Sequence, residues 1–262
     1  MTMALRSLLK EIIVRALSLV PARLSALSIL MYHSVSDSSA FFSVAPKEFE
    51  RQMRYIHDSG LTTVFSSEIS QCMTNGKLAN TVCVTFDDGY EDVYTHAFPV
   101  FKQFGIKATV FLITSEIGGS YTNSEGSTFP LLSERQIAEM QGSGLVEFMP
   151  HGHTHKKLHQ LPEGEQRNEI QLSSDIVERL TGSKPRVFAY PRGRTTPAIG
   201  ALLKEYGYAL ALGVVPGLVR PDSDPYNIPR NAVDKNVGFA EFKLKLSDNL
   251  ERYLSLVRIF SV

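Results

Sequence analysis

The alternation of short apolar segments with helical segments constrains the fold of this chain more than any other feature. The apolar segments are four to six residues long, and they lack the two-residue alternation that is typical of strands with one face in water. Such segments predict parallel strands that are buried on both faces, with helices packed over the sheet. The predicted strands are residues 28–32, 62–65, 82–86, 108–113, 144–149, 187–190 and 209–214.

The segments between these strands predict helices with one apolar face. They are residues 46–57, 66–73, 91–104, 133–140, 163–180, 197–206 and 241–259, and the polar segment 118–129 is predicted to be a surface loop. The chain has 262 residues, which favours a closed barrel over an open sheet because about 250 residues is typical of barrels. The prediction is a single-domain α/β protein, a (β/α)7-type barrel that closes with an amphipathic helix.

The first 26 residues are predicted to form an amphipathic helical segment, followed by the catalytic barrel over residues 27–262. Its apolar residues recur at helical spacing and are Leu5, Leu8, Leu9, Ile12, Ile13, Ala16 and Leu19. Arg15 interrupts the apolar run, which argues against a secretory signal and against a membrane span. Packing on the barrel is the favoured role, and peripheral membrane contact is the alternative. A cytoplasmic or membrane-peripheral location is therefore expected.

The composition limits the possible partners and the possible kinds of metal site. Lys and Arg together number 27, as do Asp and Glu, so the formal net charge is zero. This balance argues against nucleic-acid binding, which needs a basic excess. The two cysteines, Cys72 and Cys83, predict neither a disulfide framework nor a cysteine-type zinc site.

Polar side chains follow four of the predicted strands, at the point where each strand ends. They are His33, the pair Asp87 and Asp88, the cluster His151, His153 and His155, and the segment Tyr190, Pro191, Arg192 and Gly193. In barrels of parallel strands the functional residues lie at the C-terminal ends of the strands. We therefore expect these residues to come together in one site.

The residue types at these strand ends indicate a metal site. Asp87 and Asp88 are adjacent carboxylates behind an apolar run, where repulsion and burial raise carboxyl pKa values unless an ion takes one of them as a ligand. The alternative is an ordinary turn, since Asp and Gly favour turns. His151 and His155, four residues apart, can bind one ion, and the alternative is a surface histidine cluster. With one aspartate they make the two-histidine, one-carboxylate set of hydrolytic zinc sites.

Zn²⁺ is the expected ion, with Co²⁺ or Ni²⁺ as alternatives. His153 is expected to alternate away from the metal. The remaining histidines are expected to be structural or to lie on the surface, and they are His57, His96 and His159.

These motifs in this order resemble the polysaccharide deacetylase family, carbohydrate esterase family 4. The resemblance rests on residues 85–90 (Thr-Phe-Asp-Asp-Gly-Tyr), on His151 with His155, and on residues 188–193 (Phe-Ala-Tyr-Pro-Arg-Gly), and it covers about residues 33–234. It implies a distorted (β/α) barrel and metal-dependent removal of N-acetyl groups from amino sugars. It also implies that Asp87 is the general base and that Asp88, His151 and His155 are the metal ligands.

The general acid of most family members is a histidine near the C-terminus, but this chain has no histidine after Gly193. Residues 30–35 (Leu-Met-Tyr-His-Ser-Val) instead resemble the circularly permuted branch that acts on exopolysaccharides such as poly-N-acetylglucosamine. This resemblance implies that His33 is the acid. The alternative is a histidine that only packs at a strand end.

The oxyanion site departs from the family pattern at three positions. The resemblance places the substrate and oxyanion contacts at Tyr190, Pro191 and Arg192, with the backbone N–H of Arg192 as the donor. Position 192 is usually aromatic in the family, and Gly152 replaces a Ser or Thr that steadies the histidine loop. The arginine that holds the catalytic aspartate is expected where Ala189 stands. Arg230 is its predicted substitute, and a surface arginine is the alternative.

The sequence leaves three functions open. The first is an N-deacetylase of a polysaccharide, oligosaccharide or glycolipid amino sugar. The second is a metal-dependent hydrolase of a non-sugar C–N amide bond, since one fold hosts many chemistries. The third is a non-catalytic glycan-binding relative, against which the intact set of charged residues argues.

Overall fold

A parallel β-sheet that curls into a barrel forms the centre of the molecule. A computed structural model describes residues 3–20, 23–122 and 126–259, with the backbone alone for residues 3–8, 258 and 259. Its strands are β1 (Leu27–Tyr32), β2 (Ser34–Val35), β3 (Ser43–Val44), β4 (Thr62–Val64), β5 (Thr81–Phe86), β6 (Ala108–Leu112), β7 (Ser120–Thr122), β8 (Thr128–Pro130), β9 (Val146–Pro150), β10 (Val187–Ala189), β11 (Leu210–Leu212) and β12 (Asn231–Ala232).

Helices cover the outside of this sheet. They are α1 (Met3–Ser18), α2 (Pro46–Asp58), α3 (Ile69–Thr74), α4 (Phe98–Phe104), α5 (Glu134–Gly142), α6 (Glu163–Thr181), α7 (Pro197–Glu205), α8 (Phe239–Lys245) and α9 (Asn249–Ile259). A π-helical turn (Val93–Ala97) precedes α4, and short 3₁₀ turns follow several strands. The N-terminal Ser133 of α5 forms a reciprocal capping box with Gln136, which fixes where that helix begins.

Seven strand positions form the described wall of the barrel, and the prediction of an α/β barrel is confirmed. Parallel pairing gives the order β12–β1–β5–β6–β9, and β10 pairs with β11. Ile228 continues the wall from β11 to β12, because it pairs in parallel with Leu212 and its N–H donates to the carbonyl of Ala211. β9 and β10 form no ladder in the part of the chain that the structure describes. A histidine side chain of the candidate site joins them instead.

The barrel is distorted where two strands share one edge of β5. β4 pairs with the first half of β5 and β6 with the second half, while β1 pairs with the whole opposite edge. β4 therefore contributes only to the lower part of the wall. The seventh place belongs to the two-residue strand β12, which the sequence pattern did not predict.

The hydrophobic core has two main parts, inside the barrel and between the barrel and its helices. Alternate residues of one strand belong to different parts, so Cys83 faces the interior while Val82 and Val84 face the helices. All six residues of β1 and of β5 are buried. This explains the absence of polar alternation in the sequence.

The N-terminal helix α1 packs on α8 and α9, and Lys10 forms a 2.8 Å ion pair with Glu241. Its buried residues are Ile13 and Val14, with Leu9 and Leu17 partly buried. The predicted apolar face is wrong in part, because Ile12 is 54% exposed and Leu19 is 85% exposed. The predicted Leu5 and Leu8 lie outside the described side chains. The division of the chain at residue 26 stays a prediction.

No helix among the described residues is both long enough and apolar enough to cross a membrane.

Two predicted elements differ from the structure. The predicted loop 118–129 contains the antiparallel hairpin β7–β8, although residues 123–125 lie outside the described part. The predicted closing helix is two helices, because the chain breaks at Leu246–Asp248. At this break the Asp248 N–H donates to the carbonyl of Arg23, and the Asp248 carboxylate accepts from the N–H and hydroxyl of Ser25. These bonds fasten the segment before β1 to the barrel.

Candidate active site

The candidate site lies at the C-terminal ends of the barrel strands. Side chains of a strand alternate between its two faces, so every second residue points toward the barrel interior. Each interior core residue near the end of a strand is followed, two or four positions later, by a polar site residue on the same face. The pairs are Ile29 and His33, Cys83 and Asp87, Met149 and His151, and Ile228 and Arg230. The strands therefore deliver these side chains to one place, where a cavity of about 200 Å³ opens.

Most of the predicted site residues line this cavity. Those that line it are His33, Asp87, Asp88, His151, His155 and Arg192, and those that do not are Tyr190, Pro191 and Arg230. His33 is half-buried, and its ring lies 5.8 Å from that of Phe42. The wall also contains Tyr121 from the hairpin, which the sequence did not single out.

Asp87 is held by Arg230 in a buried, two-pronged ion pair. Arg230 Nη1 lies 2.6 Å from Asp87 Oδ1, and Nη2 lies 2.7 Å from Oδ2. The Arg230 Nε–H donates to the carbonyl of Gly213, and the arginine side chain is completely buried. Arg230 therefore lies beneath Asp87, which is the place predicted for the missing family arginine. It has no surface toward the cavity with which to contact a substrate or an oxyanion.

The ion pair determines the charge of Asp87. Burial raises the pKa of Asp87, but the Arg230 guanidinium and the His151 imidazole together lower that pKa well below its usual range. His33 also lowers this pKa, and both residues line the cavity. Asp87 is thus a carboxylate near neutral pH.

Asp88, His151 and His155 direct their ligand atoms to a common point. Asp88 Oδ1 lies 3.6 Å from His151 Nε2 and 3.4 Å from His155 Nε2, and all three atoms lie within 4.8 Å of one another. Neighbouring ligand atoms around a tetrahedral ion with bonds of about 2.0–2.1 Å are roughly 3.3–3.5 Å apart. Asp88 Oδ1 is buried and has no hydrogen-bond partner among the described residues. A buried carboxylate oxygen in this state fits a metal ligand.

The second nitrogen of each candidate histidine ligand is also held. His151 Nδ1 lies 2.9 Å from the carbonyl of Ala189, and His155 Nδ1 lies 2.7 Å from the Tyr121 hydroxyl. A carbonyl only accepts, so His151 carries its proton on Nδ1 and its Nε2 is free to bind an ion. Burial lowers the pKa of both histidines to about 4, with Arg192 adding to the effect at His155. Both rings are therefore neutral near pH 7, as metal ligands must be.

Backbone strain marks the same residues. Asp88, His155 and Arg192 have positive φ angles of 71°, 59° and 62°, which cost residues other than glycine roughly 1–2 kcal/mol each. Such strain persists only where the surrounding structure imposes it, and it is common at functional sites.

The histidine loop is held by Glu169, which the sequence did not reveal. Its carboxylate accepts from the N–H groups of His153 and Thr154, both at 2.8 Å, and from the Thr154 hydroxyl. Glu169 thus holds the loop by hydrogen bonds, although the sequence suggested that Gly152 leaves the loop without a stabilising hydroxyl. His153 points away from the ligand group, and its Nδ1 lies 3.0 Å from the Thr114 hydroxyl.

The turn after β10 carries the predicted oxyanion residues. Tyr190 is buried, its hydroxyl donates to the carbonyl of Tyr226, and it does not line the cavity. Its substrate contact stays a prediction. Pro191 is buried as well. Arg192 reaches the cavity, and its Nη2 lies 3.4 Å from the Tyr121 hydroxyl.

Comparison with known proteins gives one consistent group. A family profile described as polysaccharide deacetylase matches residues 74–211. YxkH of Bacillus subtilis is 32% identical over 218 residues, which cover 82% of this chain and 74% of that protein. The poly-β-1,6-N-acetyl-D-glucosamine N-deacetylase of Staphylococcus epidermidis is 31% identical over 209 residues, covering 74% and 69%. The structure of IcaB from Ammonifex degensii superposes with a TM-score of 0.74 at 28% identity, covering 85% and 98%.

Proposed function

The chain belongs to the polysaccharide deacetylase family, and from that premise we propose a metal-dependent N-deacetylase that acts on an amino-sugar polymer. The observation that carries this proposal is the pair Asp87 and Asp88. Asp87 is paired through both oxygens with Arg230. Asp88 has an oxygen without a hydrogen-bond partner in the described part of the chain, beside two neutral histidines. The first carboxylate is therefore held ionised, as a proton acceptor must be, and the second suits a metal ligand.

Asp88, His151 and His155 would hold the ion, and Zn²⁺ suits two imidazoles and one carboxylate. A divalent ion bound there would polarise the amide carbonyl and acidify the attacking water. Asp87, ionised in the resting site, accepts the proton of that water. Its pKa is low for a base, and a bound divalent ion would compensate for this by making the water more acidic.

His33 is the proposed acid. It lines the cavity together with Asp87, and a protonated imidazole there can donate to the nitrogen of the leaving amine. Water then adds to the carbonyl carbon, the C–N bond breaks, and acetate and a free amine result. The backbone N–H of Arg192, in the strained turn after β10, is the proposed donor to the oxyanion.

The proposed substrate is a polymer of N-acetylglucosamine. The supporting evidence is the similarity to the Staphylococcus epidermidis enzyme, whose name gives that substrate. Exposed apolar side chains at the cavity, Phe41 at 52% and Val214 at 38%, offer surfaces on which a sugar ring can pack.

Asp87→Asn tests the mechanism. Acetate release should fall by at least about 10²-fold because the general base is lost, while Zn²⁺ binding should persist because Asp87 is not a proposed ligand. Full turnover in this variant would refute the assignment of the base. Acetate release screened across N-acetylglucosamine oligomers and non-sugar acetamides separates the sugar hydrolase from the general amide hydrolase. No release from any of them, with glycan binding that needs no metal, would favour the non-catalytic relative.

A further inference from the structure

The two histidine ligands differ in what holds them. His151 is held by a main-chain carbonyl within the barrel wall. His155 is held by a side chain, Tyr121, whose hydroxyl lies 2.7 Å from Nδ1 and whose ring stands edge-on to the imidazole at 5.3 Å. Tyr121 lies on β7, outside the barrel. One half of the metal site is therefore part of the barrel, and the other half depends on a hairpin.

The hydrogen bond to Tyr121 bears on which nitrogen of His155 is protonated. A neutral imidazole has one N–H. When Nδ1–H donates to the Tyr121 hydroxyl, Nε2 presents its lone pair to the ligand cluster, where Asp88 Oδ1 is 3.4 Å away. The opposite tautomer would put a hydrogen between the ring and the ion. A residue that holds the first tautomer strengthens metal binding.

Tyr121 can perform this role because its hairpin is anchored beside the site. Phe129 on β8 packs against Phe42 at 5.4 Å and against Tyr90 at 5.2 Å between ring centroids. The N–H of Leu132, just after the hairpin, donates to the carbonyl of Gly89, which directly follows Asp88. The Tyr121 hydroxyl also accepts from Arg192. The hairpin is thus connected to the metal-ligand loop, to the oxyanion turn and to the wall of the cavity.

We propose that Tyr121 is a positioning residue for the metal ligand His155 and that it couples the β7–β8 hairpin to the affinity of the site for a divalent ion. This inference rests on the proposed metal dependence of the deacetylase. It predicts that damage to a surface hairpin weakens metal binding without removal of any ligand.

The test is the affinity of the full-length protein for Zn²⁺, measured by competition with a chromogenic chelator. Tyr121→Phe removes one oxygen atom and should weaken Zn²⁺ binding by about 10–100-fold, the usual effect of removing such a hydrogen-bond partner. Tyr94→Phe is the matched control, because the Tyr94 hydroxyl bonds to Glu139, away from the site. It should leave the affinity unchanged. The visible absorption spectrum of the Co²⁺-loaded protein should change in the first variant alone.

Phe129→Ala provides a second route to the same answer, since it loosens the hairpin and leaves the Tyr121 hydroxyl in place. It should weaken Zn²⁺ binding several-fold, with thermal melts of the metal-free proteins showing that each variant is folded. If the unchanged protein binds Zn²⁺ and Tyr121→Phe binds it equally well, the positioning role is refuted while the proposed function stands. If the unchanged protein binds no divalent ion, both proposals fall. Unchanged affinity in Phe129→Ala would overturn the coupling to the hairpin.

Discussion

Asp87 and Asp88 are adjacent in the chain, but they differ in how their negative charges are compensated. Both oxygens of Asp87 are matched by the guanidinium of Arg230, so this half of the site is electrically complete without any ion. Asp88 Oδ1 is also buried but has no hydrogen-bond partner among the residues that the structure describes, and two imidazole nitrogens face it. The first half is held together by the protein alone. The second half has a buried carboxylate oxygen that a cation would satisfy, and this difference supports the proposal that the two carboxylates have separate roles.

The largest effect is expected from Arg230→Met, which leaves the Asp87 carboxylate buried and unpaired. Removing one partner of a buried ion pair typically costs about 3–5 kcal/mol, and urea unfolding of the metal-free protein measures it. The loss should be much smaller when Asp87→Asn is added, since the amide carries no charge. A double variant as unstable as the single one would show that Arg230 supports the barrel in another way.

A smaller effect is expected from Zn²⁺, which should stabilise the Asp88 half alone. An ion at a free concentration one hundred times its dissociation constant raises the free energy of unfolding by about 2.7 kcal/mol. Arg230→Met should retain most of this stabilisation by Zn²⁺, because Asp87, the partner of Arg230, is not a proposed metal ligand. Asp88→Asn should lose it, because a carboxylate ligand is gone. Equal responses in the two variants would contradict the division of the site.

The pH dependence of stability tests the half of the site that contains Asp88, through its neighbour His151. The pKa of His151 is about 4 in the folded state and about 6.5 in an unfolded chain. Between these values the unfolded state binds more protons, so stability falls as the pH falls from 6.5 to 4, by about 1.4 kcal/mol per pH unit for this residue. His151→Gln should flatten the urea-unfolding profile of the metal-free protein by that slope. An unchanged profile would mean that His151 titrates normally.

The site residues at the strand ends were more predictable from the sequence than the residues that support them. His33, Asp87 and His151 follow apolar strands whose period directs them inward, so their convergence could be inferred. Arg230 lies just before a two-residue strand, too short to show a period, and it was inferred only from the absence of an arginine at Ala189.

Tyr121 and Glu169 carried no signal at all in the sequence. Tyr121 stands on a three-residue strand in a polar segment that resembles an ordinary surface loop. Glu169 belongs to a long helix in which a glutamate is normally solvated, and its burial follows only from where α6 packs. Contacts between elements determine both roles, and local sequence patterns do not encode such contacts.

The smallest effect concerns Gly152, where the family resemblance predicts a Ser or Thr and this chain has glycine. Gly152 has a φ of 78°, and a Cβ there would lie 3.1 Å from Pro191 Cγ, so Gly152→Ser should destabilise the protein rather than restore a missing bond. The backbone conformation alone costs about 1 kcal/mol. Gly76→Ser is the matched control, because its φ is 68° and open space surrounds it. Urea unfolding should show a larger loss of stability for Gly152→Ser than for Gly76→Ser, because Pro191 must move to make room for the new side chain. A gain in stability at Gly152 would mean that the Glu169 hydrogen bonds leave the loop incompletely held.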